Sequence, residues 1–120
     1  MVSTSGEIPQ EKLEAFDRLI DTRPDIQRKG KSNPYTSLNG HMFTHLGKTG
    51  SMGLRLPADE REAFLEKYNT QLYVSYGATM KEYVTVPDEL LLNTQELEPY
   101  LDISYEYIKT LKPKPTKKKS

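Results

Sequence analysis

The chain has 120 residues, a length that fits one domain, and it contains no cysteine, which excludes disulfides, thiol nucleophiles and thiolate metal sites. Basic and acidic residues number 17 each, but six of the lysines lie in residues 109–120, where no acidic residue occurs. Residues 1–108 therefore hold 11 basic and 17 acidic groups, a net charge of −6. A dedicated nucleic-acid surface needs basic groups on the folded body, so nucleic-acid binding by the body is not expected.

The two ends of the chain are predicted to lie outside the folded core. We expect a flexible N-terminus over residues 1–8, one domain over 9–111, and a disordered tail rich in lysine and proline over 112–120. No apolar run approaches the roughly 20 residues that a membrane span needs. The first residues also lack the basic-then-apolar pattern of a signal peptide. These features predict a cytoplasmic protein with no membrane partner.

The first predicted element is an amphipathic helix. Pro9 suits a first helical turn, and apolar residues then recur at helical spacing up to Ile20. Pro24 ends the helix, because the residue before a proline is displaced from the α region.

Three strands joined by tight turns follow the helix. Period-2 alternation predicts strands at residues 35–38, 41–46 and 51–56. Asn39-Gly40 is typical of a type I′ turn, in which both central residues need positive φ. The alternation also predicts two faces. The face toward the core would hold Met42, Thr44, Leu46, Met52, Leu54 and Leu56, and the opposite face His41, Phe43, His45, Gly53 and Arg55.

The second half of the chain continues with a helix and further strands. The helix begins after Pro57 with acidic residues in its first turn, and Asn69 is a left-handed cap at its end. A short strand or edge segment is predicted at residues 72–74. Residues 80–86 alternate as another strand.

Pro99 complicates the last predicted helix. Residues 93–96 resemble a helix start with a capping box. A proline inside a helix, however, removes a hydrogen bond and clashes one turn back. We therefore expect a separate turn at residues 94–98, and then a helix from about residue 99 to 111.

The predicted order is helix, three strands, helix, two strands, helix. An antiparallel sheet with its helices on one side buries the apolar residues of both kinds of element. The sequence thus predicts the α+β class in two layers, an antiparallel β-sheet covered on one face by helices.

Two features suggest phosphate or metal chemistry but have simpler explanations. Residues 47–50 resemble part of a phosphate-binding loop, yet position 42 lacks the required glycine and a strand follows in place of a helix. His41 and His45 are four residues apart, which on a strand separates them by roughly 13 Å, so we expect exposed or interface histidines. No nucleophile stands beside a base. We predict no catalytic residue, no metal, no cofactor and no enzymatic activity.

A mixed basic and aromatic group is the strongest candidate for a binding surface. In the predicted strands Arg55, Lys81 and Tyr83 share the face opposite to the core, which an antiparallel sheet can leave in contact with solvent. Such a face can bind an acidic peptide, a nucleotide-like ligand or a second copy of the chain, or it can be an ordinary solvated face. The predicted binding residues are Arg28, Lys29, Lys31, Tyr35, Arg55, Lys81 and Tyr83.

Several short motifs resemble the N-terminal domain of the TfoX/Sxy family, in order and spacing, from about residue 12 to 112. These motifs are Asn39-Gly40-His41-Met42-Phe43, Leu54-Arg55-Leu56-Pro57 with Asp59-Glu60-Arg61, and Met80-Lys81-Glu82-Tyr83-Val84-Thr85-Val86-Pro87. The resemblance implies a secretion-chaperone-like α+β domain with no known enzymatic activity. It also implies a link to regulators of DNA-uptake competence that act with a transcriptional activator. Those regulators carry a second helical domain, where this chain has its lysine-rich tail.

Three functions are consistent with these observations. The favoured one is a non-enzymatic cytoplasmic interaction domain, a homodimer formed through the sheet or an exposed edge, with a protein partner in transcriptional or competence regulation. The first alternative is a small-ligand or nucleotide-binding protein that uses the basic and aromatic face. The second alternative is a weak nucleic-acid binder that acts through the lysine tail.

Overall fold

A five-stranded antiparallel sheet and four helices make up the part of the chain that the structure describes. The computed structural model describes residues 8–30, 34–47, 49–75 and 77–112. In chain order the elements are α1 (Gln10–Ile20), β1 (Tyr35–Leu38), β2 (His41–Leu46), β3 (Met52–Arg55), α2 (Ala58–Lys67), β4 (Leu72–Ser75), β5 (Ala78–Val86), α3 (Asp88–Leu92) and α4 (Thr94–Lys109).

The strand order is β1-β2-β3-β5-β4, and every neighbouring pair is antiparallel. The chain leaves β3 through α2, enters the sheet again at its outer strand β4, and returns as β5 beside β3. The edge strands are therefore β1 and β4.

The predicted turn residues have the backbone conformations that the sequence indicated. Asn39 and Gly40 have φ values of 55° and 83°, as a type I′ turn between β1 and β2 requires. Asn69, after α2, has a φ of 52°, so its role as a left-handed cap is confirmed.

The helices cover one face of the sheet. The long helix α4 lies on β1, β2 and β3, α2 packs on β5, and α1 contacts α3 and α4. The predicted α+β class with two layers is confirmed. The largest side chains that this arrangement buries completely are Phe16, Phe43, Phe64, Leu19, Leu46, Met52, Leu54, Leu56, Leu91, Leu97, Leu101 and Ile108.

A β-bulge in the first hairpin changes which residues of β2 face the core. The register of β1 and β2 shifts at Phe43, which has no partner in β1. Such a bulge reverses the alternation on one side of it. Phe43 is therefore completely buried, and its ring lies 5.8 Å from that of Tyr105 on α4. The prediction that Phe43 faces away from the core with His45, and Met42 toward it, is wrong for this reason.

The expectation of exposed or interface histidines is also wrong, because both histidines are buried. His41 donates from Nε2 to the carbonyl oxygen of Lys112, 2.6 Å away, just beyond α4. His45 contacts the hydroxyl of Tyr73 through Nδ1, at 2.9 Å, on the other face of the sheet. The bulge between them places the two imidazoles on opposite faces.

The last part of the chain differs from the prediction in two respects. Residues 88–92 form the short helix α3, and α4 is continuous from Thr94 to Lys109 with Pro99 inside it. Asn93 caps α4 by accepting from the N–H of Glu96. The buried stripe of α4 begins at Leu97 and continues past Pro99, which is itself exposed. Packing of that stripe outweighs the one hydrogen bond that the proline removes, so the predicted turn at 94–98 is wrong.

None of the helices in the described ranges combines the length and the apolar run needed to cross a membrane. The predicted flexible N-terminus, apart from Ile8, and the predicted tail beyond Lys112 lie outside the described residues. Those two predictions stay predictions.

Candidate functional site

The outer edge of β4 is exposed. β4 and β5 form a hairpin in which Ser75 pairs with Ala78 on either side of the turn, and Val74 pairs with Thr79. The pair that closes a two-residue turn is hydrogen-bonded and the next pair is not. The N–H and C=O groups of Val74 therefore point away from β5. Val74 is 55% exposed, and β4 pairs with β5 alone among the described residues.

The opposite edge of the sheet is covered by the chain itself at Tyr35, where β1 begins. The N–H of Lys29 donates to the carbonyl of Tyr35 at 2.8 Å, and the N–H of Tyr35 donates back at 3.0 Å. The Nζ of Lys29 also donates to Ser37 Oγ at 2.9 Å. Arg28 anchors this segment to α1 through an ion pair of 2.9 Å with Asp17. Covering an edge with an irregular segment is one way in which natural sheets avoid edge-to-edge pairing.

The face of the sheet that the helices leave free is filled by a tyrosine from β4. Tyr35, His45, Gly53 and Thr85 lie directly opposite one another across four strands, so they share this face. The ring of Tyr73 lies over Gly53, where a Cβ atom would be only 2.5 Å from Cδ2 of the tyrosine. Tyr73 is 3% exposed. Glycine at position 53 thus leaves room for the Tyr73 ring, which covers the centre of this face.

A short hydrogen-bond chain holds the Tyr73 hydroxyl in place. The hydroxyl donates to the carbonyl oxygen of Ser51 at 3.1 Å, and it accepts from Nδ1–H of His45 at 2.9 Å. The two rings meet edge to face, with centroids 5.7 Å apart. Burial lowers the pKa of His45 from its ordinary value of 6.5, because the charged imidazolium would lose hydration. β4 is therefore tied to β2 and to the β2–β3 turn through one side chain.

A second polar cluster surrounds Arg55 at the end of β3. The guanidinium donates from Nε and Nη2 to Oε1 of Glu82, both at 2.7 Å. The rings of Tyr83 and Tyr107 lie 5.8 Å and 6.0 Å from its central carbon. Tyr83 donates to the carbonyl of Met42, and burial raises the pKa of its phenol. The cation of Arg55 is thus neutralised within the domain.

The seven predicted binding residues do not form one surface. Arg55 and Tyr83 are cross-strand neighbours, and Lys29 pairs with Tyr35 at the β1 edge. Arg28 is turned toward α1. The remaining two are Lys81, which is exposed on β5, and Lys31, which lies outside the described residues.

A cavity of about 230 Å³ lies where α2, α3 and α4 meet. Typical ligand pockets measure roughly 300–1,000 Å³. Among the described residues, no group of three or more His, Asp or Glu side chains is arranged to hold a metal ion. The lining residues are Tyr68, Pro87, Glu89, Leu90, Asn93 and Glu96.

Sequence patterns alone do not indicate the residues that define the β4 edge and the uncovered face of the sheet. Gly53 lies inside a predicted strand, where glycine often marks a close approach, but the pattern does not show what approaches it. Val74 lies in a predicted short strand or edge segment, and the outward direction of its backbone follows only from the hairpin register. The link between His45 and Tyr73 joins residues 28 positions apart, and no local pattern indicates it.

Comparisons with protein-family models, curated proteins and solved structures found no match to this chain. The resemblance to the TfoX/Sxy N-terminal domain therefore stays a prediction.

Replacing Gly53 by alanine tests whether Tyr73 needs the space above it. We expect Gly53→Ala to lower the free energy of unfolding by about 1–3 kcal/mol, the usual cost of overpacking, as measured by urea denaturation. The matched control introduces Gly53→Ala into a Tyr73→Ala background, where the added methyl group meets no ring. An equal loss of unfolding free energy in both backgrounds would contradict the close approach of the Tyr73 ring to Gly53.

The burial of His45 predicts a dependence of stability on pH. Because its pKa is lowered in the folded state, the unfolded chain binds more protons below pH 6.5, so stability falls as pH decreases through that value and beyond. His45→Asn preserves a donor to Tyr73 but cannot titrate. Urea denaturation at several pH values should show a flatter profile for this variant than for the wild type. Parallel profiles for the two chains would rule out His45 as the source of the pH dependence.

Proposed function

We propose that this chain is a non-enzymatic, cytoplasmic interaction domain that binds protein partners at the outer edge of β4. The observation that carries the proposal is the backbone of Val74, which faces away from its own sheet. An extended segment that pairs with this edge would satisfy both backbone groups, the mode known as strand addition.

The composition of β4 supports this surface. Its sequence, Leu-Tyr-Val-Ser, contains neither a proline nor a charged residue. Residues of those two kinds are the usual means by which an edge strand is protected from pairing. The side chain of Val74 is one of the exposed large hydrophobic groups of the described chain. At the opposite edge, by contrast, the backbone of Tyr35 is already bonded to Lys29. Among the described residues, the β4 edge is therefore the less protected of the two.

The other candidate surfaces support binding less well. The guanidinium of Arg55 is held by Glu82, so an anionic nucleotide would have to displace an existing ion pair. The centre of the uncovered face is filled by Tyr73. Nucleic-acid binding through the tail involves residues beyond Lys112, outside the described ranges. The regulatory role, in transcription or competence, rests on the family resemblance alone.

The proposal is tested by photo-crosslinking in cytoplasmic extract. A benzophenone amino acid at position 74 should form discrete protein adducts, and the same probe at Gln95, exposed on α4, should not. An excess of unlabelled chain should lower the yield of these adducts by competing for the same partners. Unlabelled Val74→Pro chain should not compete, because proline removes the outward N–H yet is tolerated where that group faces solvent.

Two results would contradict the proposal. One is the same set of adducts from positions 74 and 95. The other is equal competition by the wild-type and Val74→Pro chains, which would show that the captured proteins do not use the backbone of β4.

A further inference from the structure

We infer that the β4 edge pairs with the β4 edge of a second copy of this chain, in antiparallel orientation, with Val74 opposite Val74 at the two-fold axis. The inference rests on the proposed function and names its partner. The two sheets would then become one continuous ten-stranded sheet.

The backbone of Val74 is complementary to itself. Its N–H and C=O point outward on the same side of the strand, and a directly opposed antiparallel pair exchanges both bonds. With two copies related by a two-fold axis, each Val74 donates to the other and accepts from it. Isologous pairing of this kind needs no second type of surface.

The side chains next to this axis are compatible with the pairing. The two valine side chains meet across the strands, and cross-strand β-branched neighbours stabilise a sheet. Tyr73 and Ser75 would then be opposite each other, one from each copy. The ring of Tyr73 is held over Gly53 by His45 and Ser51, so it lies away from the incoming strand.

Charge and edge protection favour a closed dimer. β4 has no charged residue, so the two copies bring no like charges together across the axis. At the β1 edge, Lys29 already bonds the backbone of Tyr35. Growth beyond two chains would have to use this edge.

The short length of β4 limits the strength of the dimer. The strand has four residues, whereas the interfaces of stable complexes bury roughly 1,200–2,000 Å². We therefore expect a dimer that dissociates on dilution.

Cysteine crosslinking tests this pairing, because the wild-type chain has no cysteine. Under mild oxidation, purified Val74→Cys should form about tenfold more disulfide-linked dimer than Leu72→Cys or Thr79→Cys, whose symmetry mates lie beyond disulfide reach in this register. Light scattering of the wild type should show a mass that rises toward that of two chains with concentration. Val74→Pro should remain a monomer.

The outcomes separate this inference from the proposed function. A wild-type chain that stays monomeric at every concentration overturns the second copy as partner, while photo-adducts from position 74 to another protein would still support the interaction domain. A wild-type dimer in which Leu72→Cys or Thr79→Cys crosslinks as well as Val74→Cys overturns the register. A dimer that persists in Val74→Pro overturns the edge pairing.

Discussion

An open antiparallel sheet must satisfy the backbone hydrogen bonds of its two edge strands, and this domain treats its two edges differently. At β1 the segment around Lys29 forms the missing bonds of Tyr35 within the chain. At β4 the groups of Val74 have no such segment beside them in the described part of the chain, and water or another chain must satisfy them. The interaction proposed for this protein follows from that asymmetry.

The position of β4 depends on the face of the sheet that the helices leave uncovered. β4 joins the sheet through β5 alone, but Tyr73 extends from it over Gly53 and reaches His45 on β2. One aromatic side chain thus fastens the outer hairpin to the centre of the sheet. A strand held in this way presents a rigid edge, and rigid edges lose less conformational entropy when they bind.

Local sequence signals predicted most of the fold and little of the site. The positive φ of Asn39 and the helix start after Pro57 depend on neighbouring residues only, and both are confirmed. The bulge at Phe43 depends on how β1 is placed beside β2, and the helix through Pro99 depends on tertiary burial of its stripe. Edge exposure is a property of strand order, which no local pattern encodes.

Amide hydrogen exchange at Val74, followed at increasing protein concentration, tests the central claim most directly. At the lowest concentration the account predicts exchange near the unprotected rate, because this N–H faces away from the sheet, and slower exchange as the concentration rises. The amide of Tyr73, which faces β5, should be protected throughout. A Val74 amide that is protected in the isolated chain, or unprotected at every concentration, would contradict the account.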